Sequence, residues 1–114
     1  MNREPKLDLG KALTSRESRV LSGRDRGIEC RQRFNVAALD GAPGIVIVSI
    51  PRDIYSVNTS FFLGLFGESV RSLGKEAFIA KYKFECDDVH RETIAGGIER
   101  ALKESSIFMG RKLA

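Results

Sequence analysis

The sequence predicts an α/β sandwich, a small mixed sheet with helices packed on it. Three observations carry that expectation. Ile45 to Ile50 is a short β-branched, apolar run; Thr59 to Leu73 repeats its large apolar residues at helical spacing; and Lys81 to Cys86 alternates charged with larger apolar side chains. The hydrophobic period therefore switches between strand and helix along the chain, and the elements read strand, helix, strand, helix, strand, helix.

Taken in order, Lys6-Leu7-Asp8-Leu9 forms a short edge strand with Leu7 and Leu9 on one face, ended by Gly10. Lys11 to Gly23 has no clean period, and its Thr14-Ser15 and Ser22-Gly23 pairs predict a turn-rich connection. Arg24 to Leu39 is predicted as one helix, with Gly27, Cys30, Phe34, Ala37 and Ala38 on its inner face and Ser22 as N-cap. Asp40 to Gly44 terminates it.

Ile45 to Ile50 is apolar on both faces, as for a strand covered by helices on two sides, and Pro51 stops it. Asp53 to Val57 is a loop or a brief extended piece. In the helix Thr59 to Leu73, Phe62, Leu65, Phe66, Ser69 and Leu73 mark one face, widened by Phe61 and Val70. Gly64 and Gly67 each cost about 1 kcal/mol against alanine in a helix interior, which close packing would offset. Gly74 ends the helix, and Lys75 to Ala80 makes a further helical turn. After the strand Lys81 to Cys86, Asp87 or Asp88 caps a last helix with a buried stripe of Val89, Thr93, Ile94, Gly97, Ile98, Ala101 and Leu102. The tail, residues 105–114, either adds a strand at Ile107-Phe108-Met109 or frays.

The 114 residues read as one domain, with its core over residues 7–104. Hydrophobic residues at 42% and charged residues at 30% are globular values and exclude disorder throughout. No apolar run reaches the roughly 20 residues of a membrane span, and MNREPKLDLG lacks a signal-peptide core, so no membrane and a cytoplasmic location are expected. Cys30 and Cys86 stand apart and are expected as free thiols. With one histidine in the chain, neither a zinc site nor another metal site is expected.

The net charge of +4 is uneven: Lys11 and six arginines (Arg16, Arg19, Arg24, Arg26, Arg31, Arg33) face only Glu17, Asp25 and Glu29. A basic patch of that kind suits nucleic acid or an acidic protein surface, and a solvated helix face explains it equally well.

Several punctuated stretches together resemble a family. Gly10-Lys11-Ala12-Leu13-Thr14-Ser15-Arg16 is similar to the "G-x-x-L-x-S-R" stretch of bacterial STAS-like proteins of unknown function. The strand Ile45 to Ile50, the loop into Ser60-Phe61 with its Phe- and Leu-rich helix, and the later Lys-Phe strand and closing helix follow in the same order, so the resemblance spans roughly residues 7–104. It implies a STAS-type fold, related in style to anti-sigma-factor antagonists and to domains that regulate sulfate transporters. In antagonists of that kind, a Ser or Thr at a helix start accepts phosphate from a kinase-like ATPase partner, which breaks the partner complex. The matching positions here are Asn58, Thr59 and Ser60. The chain lacks the antagonists' Asp-Ser-Ser/Thr-Gly sequence there, and its Arg-rich stretch from Arg19 to Arg26 is longer.

Chemically, Thr59 and Ser60 stand where free helix N–H groups begin, so capping is their ordinary role and partner contact or phosphoacceptance the functional one. Thr14, Ser15 and Arg16 form a supporting polar loop, in which Arg16 could pair with an anion. His90 beside Asp87-Asp88 is expected at the surface near the cap. No nucleophile accompanies it in a recognised setting, so neither enzymatic activity nor a cofactor is expected. The expectation is a regulatory module that binds another protein, an ATPase-type kinase or anti-sigma-like factor, or a second copy of itself. Nucleic-acid binding through the arginines is the alternative.

Overall fold

The computed structural model describes residues 5–12 and 20–113. The elements are β1 (Lys6–Asp8), a 3-10 turn (Leu9–Ala12), β2 (Val20–Leu21), α1 (Arg24–Arg33), α2 (Val36–Gly41), β3 (Val46–Ser49), β4 (Ser56–Val57), α3 (Thr59–Leu73), α4 (Lys75–Lys81), β5 (Tyr82–Glu85) and α5 (Asp88–Leu113). The fold is α/β, with helices packed on a small sheet. Three strands pair in the order β1-β3-β5 and two as β2-β4, and every described pair is parallel.

β3 takes the centre because it is the most continuously apolar strand, but its coverage is one-sided. Val46 and Val48 are buried on the inner face with Leu7 and Tyr82. The outer face carries exposed Lys6, Lys83 and Glu85, with Lys6 and Glu85 3.8 Å apart, so the expected helices on both faces give way to one buried and one charged face.

α3 forms the spine and keeps its predicted boundaries. Phe61 to Gly67 are all buried, so the predicted stripe widens almost to the full circumference. The sheet, α1 and α5 surround it. At the sheet side Phe66 meets Tyr82 and Phe78 at centroid distances of 5.1 and 5.6 Å, and Phe84 at 5.7 Å. Such tilted and edge-on pairs suit the ring quadrupole. At the α1 side, Gly64 lies against Gly27 with no room for a Cβ on either.

Several local expectations change. The predicted helix Arg24 to Leu39 is two helices, because Asn35 adopts a left-handed conformation (φ 53) after α1 closes on the Phe34 and Asn35 N–H groups. Asparagine tolerates that region better than most residues. The re-aimed α2 then buries Val36 and exposes Ala37 and Ala38. Gly23, not Ser22, occupies the N-cap of α1, and no side chain caps it. Val20–Leu21, inside the stretch predicted as turns, pairs with β4. In α5, Asp87 accepts from the His90 N–H at 3.0 Å as the expected cap. The stripe holds at Ile94, Gly97, Ile98 and Ala101, which are buried, but its first turn differs: Val89 is 68% exposed and His90 is buried. α5 continues through Ile107-Phe108-Met109 to Leu113, in place of a strand or a frayed tail. Among the described residues, no helix is long and apolar enough to cross a membrane.

Candidate functional site

Parallel strands put their carboxyl ends on one rim, the usual place for binding in open α/β sheets. Here the rim gathers Asp8-Leu9-Gly10 after β1, Ile50-Pro51 after β3 and Cys86-Asp87 after β5. Asp8 Oδ1 accepts from the Gly10 N–H at 2.8 Å, and Ile50 N–H donates to Glu85 O at 2.9 Å. Since β5 runs parallel to β3, the chain must return to the opposite rim between them, and α3 with α4 makes that return. The start of α3 therefore lies beside the carboxyl rim.

At that start, Asn58 has extended dihedrals and its Oδ1 accepts from the Phe61 N–H at 3.0 Å. Its own N–H donates to Leu21 O at 2.9 Å, which fastens the corner to β2. Asn58, not Thr59 or Ser60, is thus the cap. Ser60 is exposed and Thr59 half-buried, and among the described residues neither hydroxyl makes a hydrogen bond. Next to this corner, the buried His90 brings Nε2 within 3.2 Å of Ile54 O. A carbonyl only accepts, so Nε2 carries the proton. The residues flanking this contact point outward: Tyr55 is 82% exposed and Val89 68%.

The candidate residues of the supporting loop, Thr14, Ser15 and Arg16, and Arg19 of the basic patch lie outside the described residues. The remaining patch is reduced. Arg31 is only 12% exposed and points inward: its guanidinium donates to Asp40 Oδ2 at 2.9 Å, Ser69 Oγ at 2.8 Å and Leu65 O at 3.0 Å. Arg24 donates to Glu104 at 2.9 Å, and Glu104 also has Arg71 and Arg100 within 3.8 and 3.7 Å. Arg33 lies over the Phe34 ring with 5.7 Å to its centroid. Arg26 also has an interaction partner.

The network around Arg31 was hidden in the sequence. Asp40 accepts from Arg31, from Ser69 Oγ at 2.8 Å and from Tyr82 Oη at 2.5 Å, which joins α1, α2, α3 and β5 through one carboxylate. The available signal was Tyr82 on the apolar face of its strand, because a buried phenol needs a partner. Burial first, and the bond to Asp40 second, push the Tyr82 phenol well above its ordinary value. Burial likewise raises both free thiols, Cys30 against the opposing pull of Arg33 and Arg26, and Cys86 against that of Arg91. Among the described residues, no group of three His, Cys, Asp or Glu side chains is placed to hold a metal. No family model, curated protein or solved structure matches this chain.

Proposed function

We propose that the chain is a non-enzymatic regulatory module that binds another protein at the β4–α3 corner, through Tyr55, Asn58, Thr59 and Ser60. One observation carries the reading: Asn58 does the capping, so the Thr59 and Ser60 hydroxyls stand at a helix start with no hydrogen bond among the described residues, beside an almost fully exposed tyrosine. Tyrosine is enriched at interface centres because it offers large contact area and a polar tip at small entropic cost. The first-turn N–H groups and the helix dipole favour an anion there, so a phosphate on Ser60 would change the charge of the contact without unfolding the domain. The resemblance to STAS-like proteins supports the same corner and a cytoplasmic partner of the kinase-like ATPase or anti-sigma-like kind.

Nucleic-acid binding is the weaker reading, because Arg31 is committed to Asp40 and Arg24 to Glu104. Affinity capture from extract of the source cells tests the proposal, with wild type, Tyr55→Ala and Ser60→Ala as baits. A kinase-like ATPase or anti-sigma-like factor should be held by wild type and lost from both variants. Equal capture by all three sinks the reading. Nucleic-acid binding that falls steeply with salt, unaffected by the two variants, would replace it with the arginine face.

A further inference from the structure

β5 is an edge strand, and a groove runs beside it. Because Glu85 O accepts from the Ile50 N–H at 2.9 Å, Glu85 faces β3, and its neighbour Phe84 presents its backbone to the open edge. There Arg91 Nη2, from the first turns of α5, donates to Phe84 O at 3.2 Å. The Arg91 side chain thus lies across a backbone group that an added strand would have to reach, which blunts this edge. Between β5, α4 and α5 lies a groove of about 440 Å³, within the range of small-molecule sites.

Its floor is the buried set Phe78, Tyr82, Ile94 and Ile98. Ile79, 45% exposed, and the exposed Ala95 form opposite walls. Of the charged residues along it, Lys83 belongs to the outer sheet face, opposite Tyr82, so Arg91 is the cation beside the trough, and among the described residues no carboxylate lines it. Arg91 spends one N–H on Phe84 O, and a guanidinium carries five. An apolar trough with a cation, Arg91, beside it and no carboxylate among its described lining residues is complementary to a molecule with an apolar body and one negative end.

We infer that this groove binds a small amphiphilic carboxylate, its alkyl or aryl body on Phe78, Ile94 and Ile98 and its carboxylate on the Arg91 guanidinium. The site is separate from the β4–α3 corner and stands or falls independently of it.

Calorimetric titration of the full chain with octanoate, octan-1-ol and acetate tests the inference, in wild type, Ala95→Phe and Arg91→Gln. Octanoate should bind wild type saturably with one site. Octan-1-ol should bind about fivefold more weakly, the scale of a half-exposed ion pair, and acetate should not bind. Ala95→Phe, which fills the trough from an exposed helix position, should abolish octanoate binding. Arg91→Gln should bring octanoate down to the level of the alcohol. Octanoate no tighter than octan-1-ol, no saturable binding, or wild-type affinity in Ala95→Phe would each overturn the inference. Should Ala95→Phe fail to fold, the Arg91→Gln comparison decides alone.

Discussion

Gly27 and Gly64 lie together where α1 crosses α3, and at each the backbone of the other helix fills the space a Cβ would need. A Cβ on Gly27 would lie 2.2 Å from Phe61 O, and one on Gly64 2.1 Å from Arg24 O. The obstacles are backbone atoms of packed helices, which cannot rotate away. Gly27→Ala and Gly64→Ala should therefore each destabilise the domain by about 3 kcal/mol or more, despite alanine's better helix propensity. Gly96 in α5 has nothing within 4 Å of its Cβ position. Gly96→Ala should instead stabilise by about 0.5–1 kcal/mol. Urea denaturation of the three variants measures the contrast, and equal effects would refute the close crossing.

The Asp40 carboxylate should be the most sensitive polar group. Asp40→Ala leaves the largely buried Arg31 with only the exposed Glu68 carboxylate, 3.6 Å away, and strips the partner from Tyr82, at a cost of about 3 kcal/mol. Tyr82→Phe removes one hydrogen bond, and should cost about 1–2 kcal/mol. A double-mutant cycle between the two positions should show coupling, because they share a bond.

Tyr82 also sets a pH dependence. Its folded-state pKa is raised, chiefly by burial, so the native state holds the proton more tightly than the unfolded state. The associated stability is present below the ordinary tyrosine pKa of about 10 and is lost as pH rises beyond it toward the folded-state value. Wild type should lose stability above that pH more steeply than Tyr82→Phe, as read from thermal melts of both proteins. Identical slopes would show that the phenol is not held in its neutral form.

At the α3 start, stability and binding should separate. Asn58→Ala loses the cap and should cost about 1 kcal/mol. Thr59→Ala and Ser60→Ala should be close to neutral, since neither hydroxyl is bonded among the described residues. A Ser60→Ala variant as destabilised as Asn58→Ala would mean that the hydroxyl has a structural duty after all.

The two thiols should react in order of access. Burial raises both pKa values and keeps the reactive thiolate scarce at neutral pH. Cys86 is half-buried and Cys30 buried, so Cys86 should be labelled first by a thiol reagent in the native protein, with Cys30 following only as the domain opens. Labelling in the reverse order would contradict the packing of α1.

Local pattern carried a good part of the architecture. The run Ile45 to Ile50 announced the central strand, and the spacing from Thr59 to Leu73 marked the spine helix with its structural bounds, because both signals are repeated over many residues. Gly64 was legible as a close-packing glycine and Gly27 as part of an inner face, but their meeting was not, and Gly67, read in the same way as Gly64, has only the Arg71 side chain near its Cβ position. Val89 lies off the buried stripe and His90 on it because successive helix residues are turned by about 100°: with Ile94, Gly97, Ile98 and Ala101 buried, position 90 falls on the same face one turn earlier and position 89 does not. The break at Asn35 left little trace, since a single left-handed residue disturbs the hydrophobic period only slightly.

At the candidate corner, residue types and chain order were enough to place hydroxyls at a helix start following a buried strand. Which of them capped the helix depended on Asn58 meeting the Phe61 N–H while its own N–H reached Leu21, a contact across 37 residues of chain. Arg31 shows the same division. Its charge was plain in the sequence, and its direction was not, because Asp40, Ser69 and Leu65 come around it only when α1, α2 and α3 pack together. Periodicity and turn chemistry act between neighbours along the chain and so can be read from it. Burial, pairing and exposure are properties of surfaces that exist only once distant segments meet.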